Sequence, residues 1–540
     1  MSTRIEKMGY RKHRLIYLTL LLTGVLLPGC GARSYHVYSE DWRERECGRV
    51  LRRVQHDHIE ENFPPNLVGE WTSYRCEIRS GPEYLLRKYK FSENTFEVHQ
   101  YYYNDPDCND PRHAIVAHGT YRQLRQSWLV PGGTEAEYQV IKAHVIPYSN
   151  DVAKSLQVDF NRSCKILGTV KLETFEKQLF MSTPVENPGE GPDKTLPKDI
   201  DCSNLLNFTL SELQLMRVEI KKHKTSHSRG FHDNGLDHGT ETGDLKHLVR
   251  KTNDLLLGSV HTNRKLRHRH RPSSFQIALR NSETEGCSVC ARIANSNDYY
   301  PPELRTHPGT ILSLEGDWVS TRCESRQQGM FLTRWLTFLP DGRSWQGVYE
   351  FFKDSSCSEP TFTLTAKGNY AGGAVSSIIP HSKDYSFKVT RLKVNPKSSQ
   401  IVGHLNHYEG GRCGTDRSWV VGVEQDVTFT NGCVTLGIQL PNIEQEILKM
   451  EVVHRQLHLL VGSRFTDAPT TRFRDKRPTS FQEPLVKCDR FHSDIHINSI
   501  YEGRALPLSA PLVSQRLQSS SWNPCPNVLL LILLVALVQI

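Results

Sequence analysis

The chain has 540 residues, a formal net charge of +8 and 24 histidines. Charged residues make up 23% and aromatic residues 9%, which is ordinary for globular extracellular domains. A basic excess of this size gives no argument for a nucleic-acid partner, and the length allows two or three domains.

Residues 1–32 have the pattern of a secretory signal peptide. Five basic residues among the first fourteen precede an apolar stretch from Leu15 to Leu27, and small residues follow at Gly31 and Ala32. That stretch is short for a transmembrane span. A bacterial lipobox at Leu27-Pro-Gly-Cys30 is a weaker alternative, and we favour cleavage near Ala32.

The other end of the chain predicts a membrane anchor. A polar linker at 491–526 contains Ser519-Ser-Ser521, and an apolar segment follows at 527–540. This pattern favours either one membrane span or the signal for a GPI anchor. Both alternatives place the protein on the extracellular face of the plasma membrane, which it reaches through the secretory pathway.

Apart from Cys30 and Cys525 in these two end segments, twelve of the 14 cysteines remain. An even number of cysteines in an oxidising compartment predicts disulfide bonds. Asn161-Arg-Ser and Asn207-Phe-Thr match the N-glycosylation signal, which makes Asn161 and Asn207 candidate glycan acceptors.

An internal repeat organises the chain. Residues 69–91, GEWTSYRCEIRSGPEYLLRKYKF, align with residues 316–338, GDWVSTRCESRQQGMFLTRWLTF, and ten of the 23 positions are identical. The alignment continues to the ends of both copies, so that each repeat holds six cysteines. Cys47 opens the first repeat and Cys287 closes it, whereas Cys290 and Cys488 bound the second.

This duplication makes Cys287-Ser-Val-Cys290 a seam between repeats, and it argues against a zinc or redox motif there. Six cysteines allow 15 pairings, but both repeats should use the same one. The pairing that we predict is Cys47–Cys287, Cys76–Cys108 and Cys164–Cys202 in the first repeat, with Cys290–Cys488, Cys323–Cys357 and Cys413–Cys433 in the second. The predicted domains are 33–288 and 289–490.

Apolar residues inside each repeat alternate with polar ones, as in half-buried strands, for example over 84–91, 138–145, 361–366 and 385–394. Residues 216–220 also alternate, although Leu213, Met216 and Ile220 fit a helix as well. A helix is predicted around Asp41–Gln55. The fold class is therefore all-β: two tandem antiparallel β-barrels, similar to lipocalins, with disulfide bonds and one short N-terminal helix.

The insert at 221–271 is polar and rich in histidine, and a solvated loop is the favoured interpretation. Its end carries a basic cluster that is a candidate site for anionic glycans, formed by Arg264, Lys265, Arg267, Arg269 and Arg271. Common catalytic and phosphate-binding motifs are absent from the sequence. We therefore expect a binding protein without a cofactor or metal, and no enzyme.

Several stretches closely resemble the adenomatosis polyposis coli down-regulated family: the repeated G-[ED]-W-x-S-x-R-C-E, RSGPEY at 79–84, GGTEAEYQ at 132–139 and DVTFTNGCVTLGI at 426–438. The resemblance runs from about residue 40 to about residue 490. It implies a membrane-anchored glycoprotein that inhibits Wnt signalling by binding acylated Wnt proteins and a low-density-lipoprotein-receptor-related co-receptor. Homo-oligomerisation stays open.

The resemblance also implies that the Wnt lipid enters a pocket in the first barrel. The residues that we expect to line this pocket are Trp71, Tyr84, Leu86, Phe91, Phe96 and Trp128, and ordinary barrel core is the alternative for each. The alternative function is an adhesive module that binds glycosaminoglycans through the basic cluster.

Overall fold

The computed structural model describes residues 40–56, 59–184, 199–224, 249–305, 313–407, 412–440, 443–453, 456–463 and 477–488. The predicted leader, polar linker and C-terminal apolar segment lie outside these residues, as does 225–248 of the insert. The described residues from Glu46 onward belong to one compact unit that contains both repeats.

Eight antiparallel strands of the first repeat close into a barrel, because β10 pairs with β7 and β12 pairs with β2. The ring is β2, β4 to β7 and β10 to β12. The strands of this repeat are β1 (Ile59–Glu60), β2 (Gly69–Thr72), β3 (Glu77–Arg79), β4 (Glu83–Phe91), β5 (Thr95–Tyr103), β6 (Pro111–Gln126), β7 (Thr134–Pro147), β8 (Gln178–Ser182), β9 (Ile200–Asp201), β10 (Leu215–Lys224), β11 (Val249–Leu257) and β12 (Leu279–Asn281).

The second repeat closes in the same way, because β13 pairs with both β15 and β24. Its ring is β13, β15 to β18 and β22 to β24. The strands are β13 (Gly316–Ser320), β14 (Glu324–Arg326), β15 (Met330–Phe338), β16 (Ser344–Phe352), β17 (Pro360–Val375), β18 (Ser382–Pro396), β19 (Gln425–Asp426), β20 (Gly432–Cys433), β21 (Ile438–Gln439), β22 (Glu444–Val453), β23 (Gln456–Val461) and β24 (Leu485–Lys487). The predicted pair of barrels is thus confirmed.

Five α-helices accompany the strands in the described residues: α1 (Glu40–His56), α2 (Asn150–Ser163), α3 (Ser203–Leu206), α4 (Ser288–Ala294) and α5 (Ser399–His407). The sequence predicted α1 but missed α2, although Ala153, Leu156 and Phe160 share one helical face. Ser149 caps α2 by accepting a hydrogen bond from the amide of Val152, and the apolar face packs into the core of the first barrel.

The residues that the repeats share form the same local structure twice. Ser73 donates to Glu77 across 2.5 Å, and Arg87 donates to the same carboxylate across 2.9 Å. In the second barrel, Ser320 donates to Glu324 across 2.6 Å, and Arg334 donates to the same carboxylate across 2.9 Å. The indole N–H of Trp71 donates to the carbonyl of Leu67, as its counterpart does in the second repeat. These residues therefore stabilise the scaffold.

A glycine allows close strand contact at one equivalent position in each barrel. Gly119 and Gly368 lie at β-bulges between the two longest neighbouring strands. A Cβ atom there would approach the carbonyl oxygen of Gln139 to 2.1 Å or that of Lys388 to 1.9 Å. Only glycine fits this bulge, which increases the coiling of the sheet.

The two barrels pack against each other through apolar side chains on their outer faces. One shared cluster joins Tyr84, Leu86 and Tyr101 of the first barrel to Ile447 and Phe481 of the second. Another joins residues of the first repeat, such as Val130 and Leu215, to Phe331 and Phe352. Burial of these side chains removes apolar surface from water and holds the barrels together.

Each repeat places its opening helix on the other barrel. Val50 and Leu51 of α1 pack with Val319 and Val486 of the second barrel. Ile293 of α4 packs in the shared cluster, and the amino group of Lys88 on β4 donates to the carbonyl of Ala294. The two helices are therefore exchanged between the repeats.

This exchange corrects two of the predicted disulfide bonds. The structure contains Cys47–Cys488 and Cys287–Cys290, and not Cys47–Cys287 and Cys290–Cys488. The first cysteine of each repeat bonds to the last cysteine of the other, because the helix that carries it lies on the other barrel. The remaining four bonds are those of the predicted pairing: Cys76–Cys108, Cys164–Cys202, Cys323–Cys357 and Cys413–Cys433.

Candidate functional site in the first barrel

Three of the six predicted pocket residues lie inside the first barrel. Trp71, Phe91 and Phe96 belong to its buried core, which also contains residues of α2 and the segment around Leu210. The ring of Phe91 packs edge-on against Tyr121, with 5.3 Å between the centroids. These aromatic rings form an apolar wall of the interior.

The other three predictions are wrong. Tyr84 and Leu86 point to the outer face of β4 and join the cluster shared with the second barrel. Side chains of a strand alternate between its faces, so Leu85, Arg87 and Tyr89 point the opposite way from these two. Trp128 lies in the connection between β6 and β7, and its side chain is 76% exposed.

The interior of the first barrel has smaller side chains than the second at two equivalent positions on β7. Ala136 and Ala143 occupy the places of Tyr385 and Leu392. In the second barrel, Tyr385 packs against the rings of Phe387 and Tyr370 and fills this space. Other positions have the opposite difference: Val98 stands where the second barrel has Gly347, and Tyr89 where it has Leu336.

Polar side chains meet in one part of this interior. Tyr89 donates to Glu212 across 2.9 Å, Gln100 donates to the same oxygen across 3.2 Å, and Tyr102 donates to Gln100 across 2.9 Å. The guanidinium of Arg79 lies 3.5 Å from the same carboxylate oxygen. We call Arg79, Tyr89, Gln100, Tyr102, His113 and Glu212 the polar cluster.

His113 completes the polar cluster by stacking on Tyr102 with 4.8 Å between the ring centroids. Burial lowers the pKa of His113 to about 3, so the imidazole is neutral at pH 7. Burial also raises the pKa of Tyr102 to about 12. Both side chains are half-buried.

The second barrel has different residues at four positions of the polar cluster. Leu336, Tyr349, Phe351 and Phe362 stand where the first barrel has Tyr89, Gln100, Tyr102 and His113. Phe351 and Phe362 stack at 4.4 Å, as their polar counterparts do. The repeat alignment contained this signal, but sequence reasoning missed it.

The basic cluster at 264–271 is partly neutralised by acidic side chains. Arg267 is buried and lies 2.8 Å from Glu83, which also pairs with Arg264 at 3.0 Å. Arg271 lies 3.4 Å from Glu135. Lys265 and Arg269 are exposed.

Both candidate glycan acceptors are exposed. Asn161 lies in the last turn of α2, where its side chain exchanges two hydrogen bonds with the backbone of Val170. Asn207 is the left-handed C-cap residue of α3.

A cleft of about 200 Å³ is lined by residues that include Glu61, Phe63, Thr134 and Arg217. In the described ranges, no three His, Cys, Asp or Glu side chains converge as a metal site requires. No helix in the part of the chain that the structure describes has both the length and the apolar character needed to cross a membrane.

A closed eight-stranded barrel either fills its interior with side chains or holds one small ligand. Such a barrel occurs twice in one disulfide-bonded chain. The family model described as "Adenomatosis polyposis coli down-regulated 1" matches residues 46–305 and again residues 308–512. The matches cover most of the chain, and the protein belongs to this family.

Proposed function

We propose that this protein is a cell-surface glycoprotein that inhibits Wnt signalling by holding the acyl chain of a Wnt protein inside its first barrel. The observation that carries the proposal is the difference between the two interiors. Where aromatic and aliphatic side chains fill the second barrel, the first has Ala136 and Ala143 beside an apolar wall. Family membership supports the connection with Wnt.

The energetics of acyl burial suit such a role. Each buried methylene contributes roughly 0.8 kcal/mol, so about a dozen contribute on the order of 10 kcal/mol before the costs of association. Capture of the chain would withhold it from the Wnt receptor, and no covalent bond has to break. Binding to the low-density-lipoprotein-receptor-related co-receptor is a further part of the proposal.

The test compares acylated Wnt with the same Wnt lacking its acyl chain, on cells that display the full-length protein. We expect the acylated form to bind and the other form to bind at the level of cells without the protein. Equal binding of both forms would place recognition outside the barrel interior. Heparin competition serves as a control, because loss of binding in heparin would favour the glycan-binding alternative.

A further inference from the structure

One β-turn of the second barrel exposes apolar side chains. In the turn Val420-Val-Gly-Val423, the amide of Val423 donates to the carbonyl of Val420 across 3.1 Å. Its three valines are 56%, 47% and 50% exposed, and Gly422 has a φ of 80°, in the left-handed region that favours glycine. Surface turns are usually built from glycine, proline and polar residues. We call these four residues the valine turn.

The first barrel forms the same turn from other residues. The amide of Gly422 donates to the carbonyl of Pro396 across 2.8 Å. The amide of Phe175 donates to the carbonyl of Pro147, the equivalent proline, across the same distance, and this turn also closes from its fourth residue to its first. The fold therefore does not need valine here. The residues that stand where the second barrel has its three valines are Glu173, Thr174 and Glu176.

The segment before the valine turn holds it in place. Trp419 is buried, and its backbone exchanges two hydrogen bonds with the side chain of Asn406. Its indole N–H donates to the carbonyl of Cys413, which is bonded to Cys433. A turn fixed in this way loses little conformational entropy when it meets a partner.

The size of the valine turn limits what can cover it. A stable protein–protein interface uses about 20–30 residues from each partner, far more than one turn supplies. A bilayer accepts protruding apolar side chains without a complementary pocket. The linker of 38 residues, 489–526, between the second barrel and the proposed anchor spans at most about 130 Å. Contact with that bilayer is therefore intramolecular, so that even weak docking suffices.

The charges beside the valine turn nearly balance. The exposed side chains of Lys397 and Arg417 are opposed by Asp416. Glu424 forms an ion pair with Lys393. Anionic lipids, which are typical of the cytoplasmic leaflet, attract clusters of basic residues. The near-neutral surroundings of the valine turn instead suit zwitterionic phosphatidylcholine.

We infer that the valine turn docks on the phosphatidylcholine surface of the bilayer to which the chain is anchored, with Val420, Val421 and Val423 in the apolar layer. The inference rests on the proposed function for the anchor alone and uses neither barrel interior. It adds a peripheral membrane contact that sets the orientation of the second barrel relative to the bilayer.

The test adds a photoreactive phosphatidylcholine, with a diazirine in the upper part of one acyl chain, to intact cells that display the full-length protein. We expect mass spectrometry to find the label on peptides that contain residues 418–431. The triple variant Val420→Glu, Val421→Thr and Val423→Glu copies the turn of the first barrel. It should reduce this label about tenfold, because carboxylates are costly to bring into an apolar layer.

Val375→Glu is the matched control and should leave this label unchanged. Val375 is 76% exposed and ends β17, whose opposite end pairs with Pro396 beside the valine turn. Surface level and mobility on a non-reducing gel establish folding, and Val421→Glu alone replaces the triple variant if that fails to reach the surface.

Three results would overturn the inference: no label at the valine turn, an unchanged label in the variant, or an equal loss in the control. Release of the protein into the medium would overturn the anchor and the inference with it. Binding of acylated Wnt to the same cells is measured in parallel. If Wnt binds while the turn is not labelled, only the inference fails. If Wnt does not bind, the proposed capture fails whatever the label shows.

Discussion

Arg322 of the second repeat donates a hydrogen bond to Glu219 of the first across 2.6 Å, and Arg75 of the first repeat bonds to Glu451 of the second. The two pairs occupy equivalent positions in the repeats, so the contact between the barrels is reciprocal. These arginines are part of the repeated S-x-R-C-E sequence. Their recurrence reflects the contact between the repeats as well as the folding of each one.

The Arg322 pair should contribute strongly to stability. Arg322 and Glu219 are both buried, and Asp254 and Glu483 each lie 3.5 Å from the arginine. Arg322→Met removes the cation that these three acids share, although Lys221 still lies 3.3 Å from Glu219. We expect the substitution to lower the free energy of unfolding by about 3 kcal/mol. Denaturant unfolding measures this change.

The matched control is Arg122→Met, which breaks an exposed pair with Glu137 on the first barrel. Its side chains are 74% and 63% accessible. An exposed pair contributes at most about 1 kcal/mol. Equal effects of the two substitutions would contradict a strongly coupled contact between the barrels.

His113 should make the protein less stable in mild acid. Its folded pKa of about 3 lies below the ordinary value of 6.5, so the unfolded chain takes up the proton first as pH falls. The stability contributed by the neutral imidazole is therefore fully present above pH 6.5 and is lost as the pH falls from 6.5 to 3. The free energy of unfolding decreases over this range by no more than about 1.4 kcal/mol per pH unit. Thermal unfolding at pH 7 and pH 5 should show a smaller loss for His113→Phe than for the natural protein. An identical loss would show that the imidazole is not desolvated.

The two disulfide bonds that join the repeats should differ in their contribution to stability. Cys47–Cys488 closes a loop across 441 residues, whereas Cys287–Cys290 spans three. In the chain-entropy model, the long loop constrains the unfolded chain by about 6 kcal/mol and the short loop by about 1.5 kcal/mol. Paired Cys→Ser variants of each bond, compared by melting temperature, test this order. The prediction fails if removal of the short bond destabilises more.

Ala143→Leu gives the first barrel the side chain that the second barrel has at Leu392. We expect it to weaken the binding of acylated Wnt by roughly tenfold or more, because the larger side chain displaces methylenes of the ligand and each contributes roughly 0.8 kcal/mol. Surface binding of acylated Wnt measures the effect. Leu392→Ala is the reciprocal control in the second barrel. It should cost about 2–5 kcal/mol of stability and leave Wnt binding unchanged. The opposite pattern would move the site to the second barrel.

The sequence identified the barrels because strand alternation and an internal repeat are local signals. It could not assign the faces of β4, since both are buried: Leu86 faces the other barrel and Tyr89 faces the interior. Periodicity marks a strand as half-buried only when one face meets water. The pairing of Cys47 failed for a related reason. Duplication requires only that the two repeats form equivalent bonds. Bonds between the first and last cysteines of the same repeat meet this requirement. Bonds from the first cysteine of each repeat to the last cysteine of the other meet it equally well.

The exchange of α1 has a consequence for synthesis. Cys47 leaves the ribosome early, whereas its partner Cys488 is made 441 residues later. Until then, the thiol has no native partner, and Cys287, which emerges before Cys290, is exposed to mispairing with it. Cys47 of the first repeat can therefore form its native disulfide bond only after the second barrel has been synthesised. Truncation of the chain before Cys488 should leave Cys47 as a target for retention in the secretory pathway.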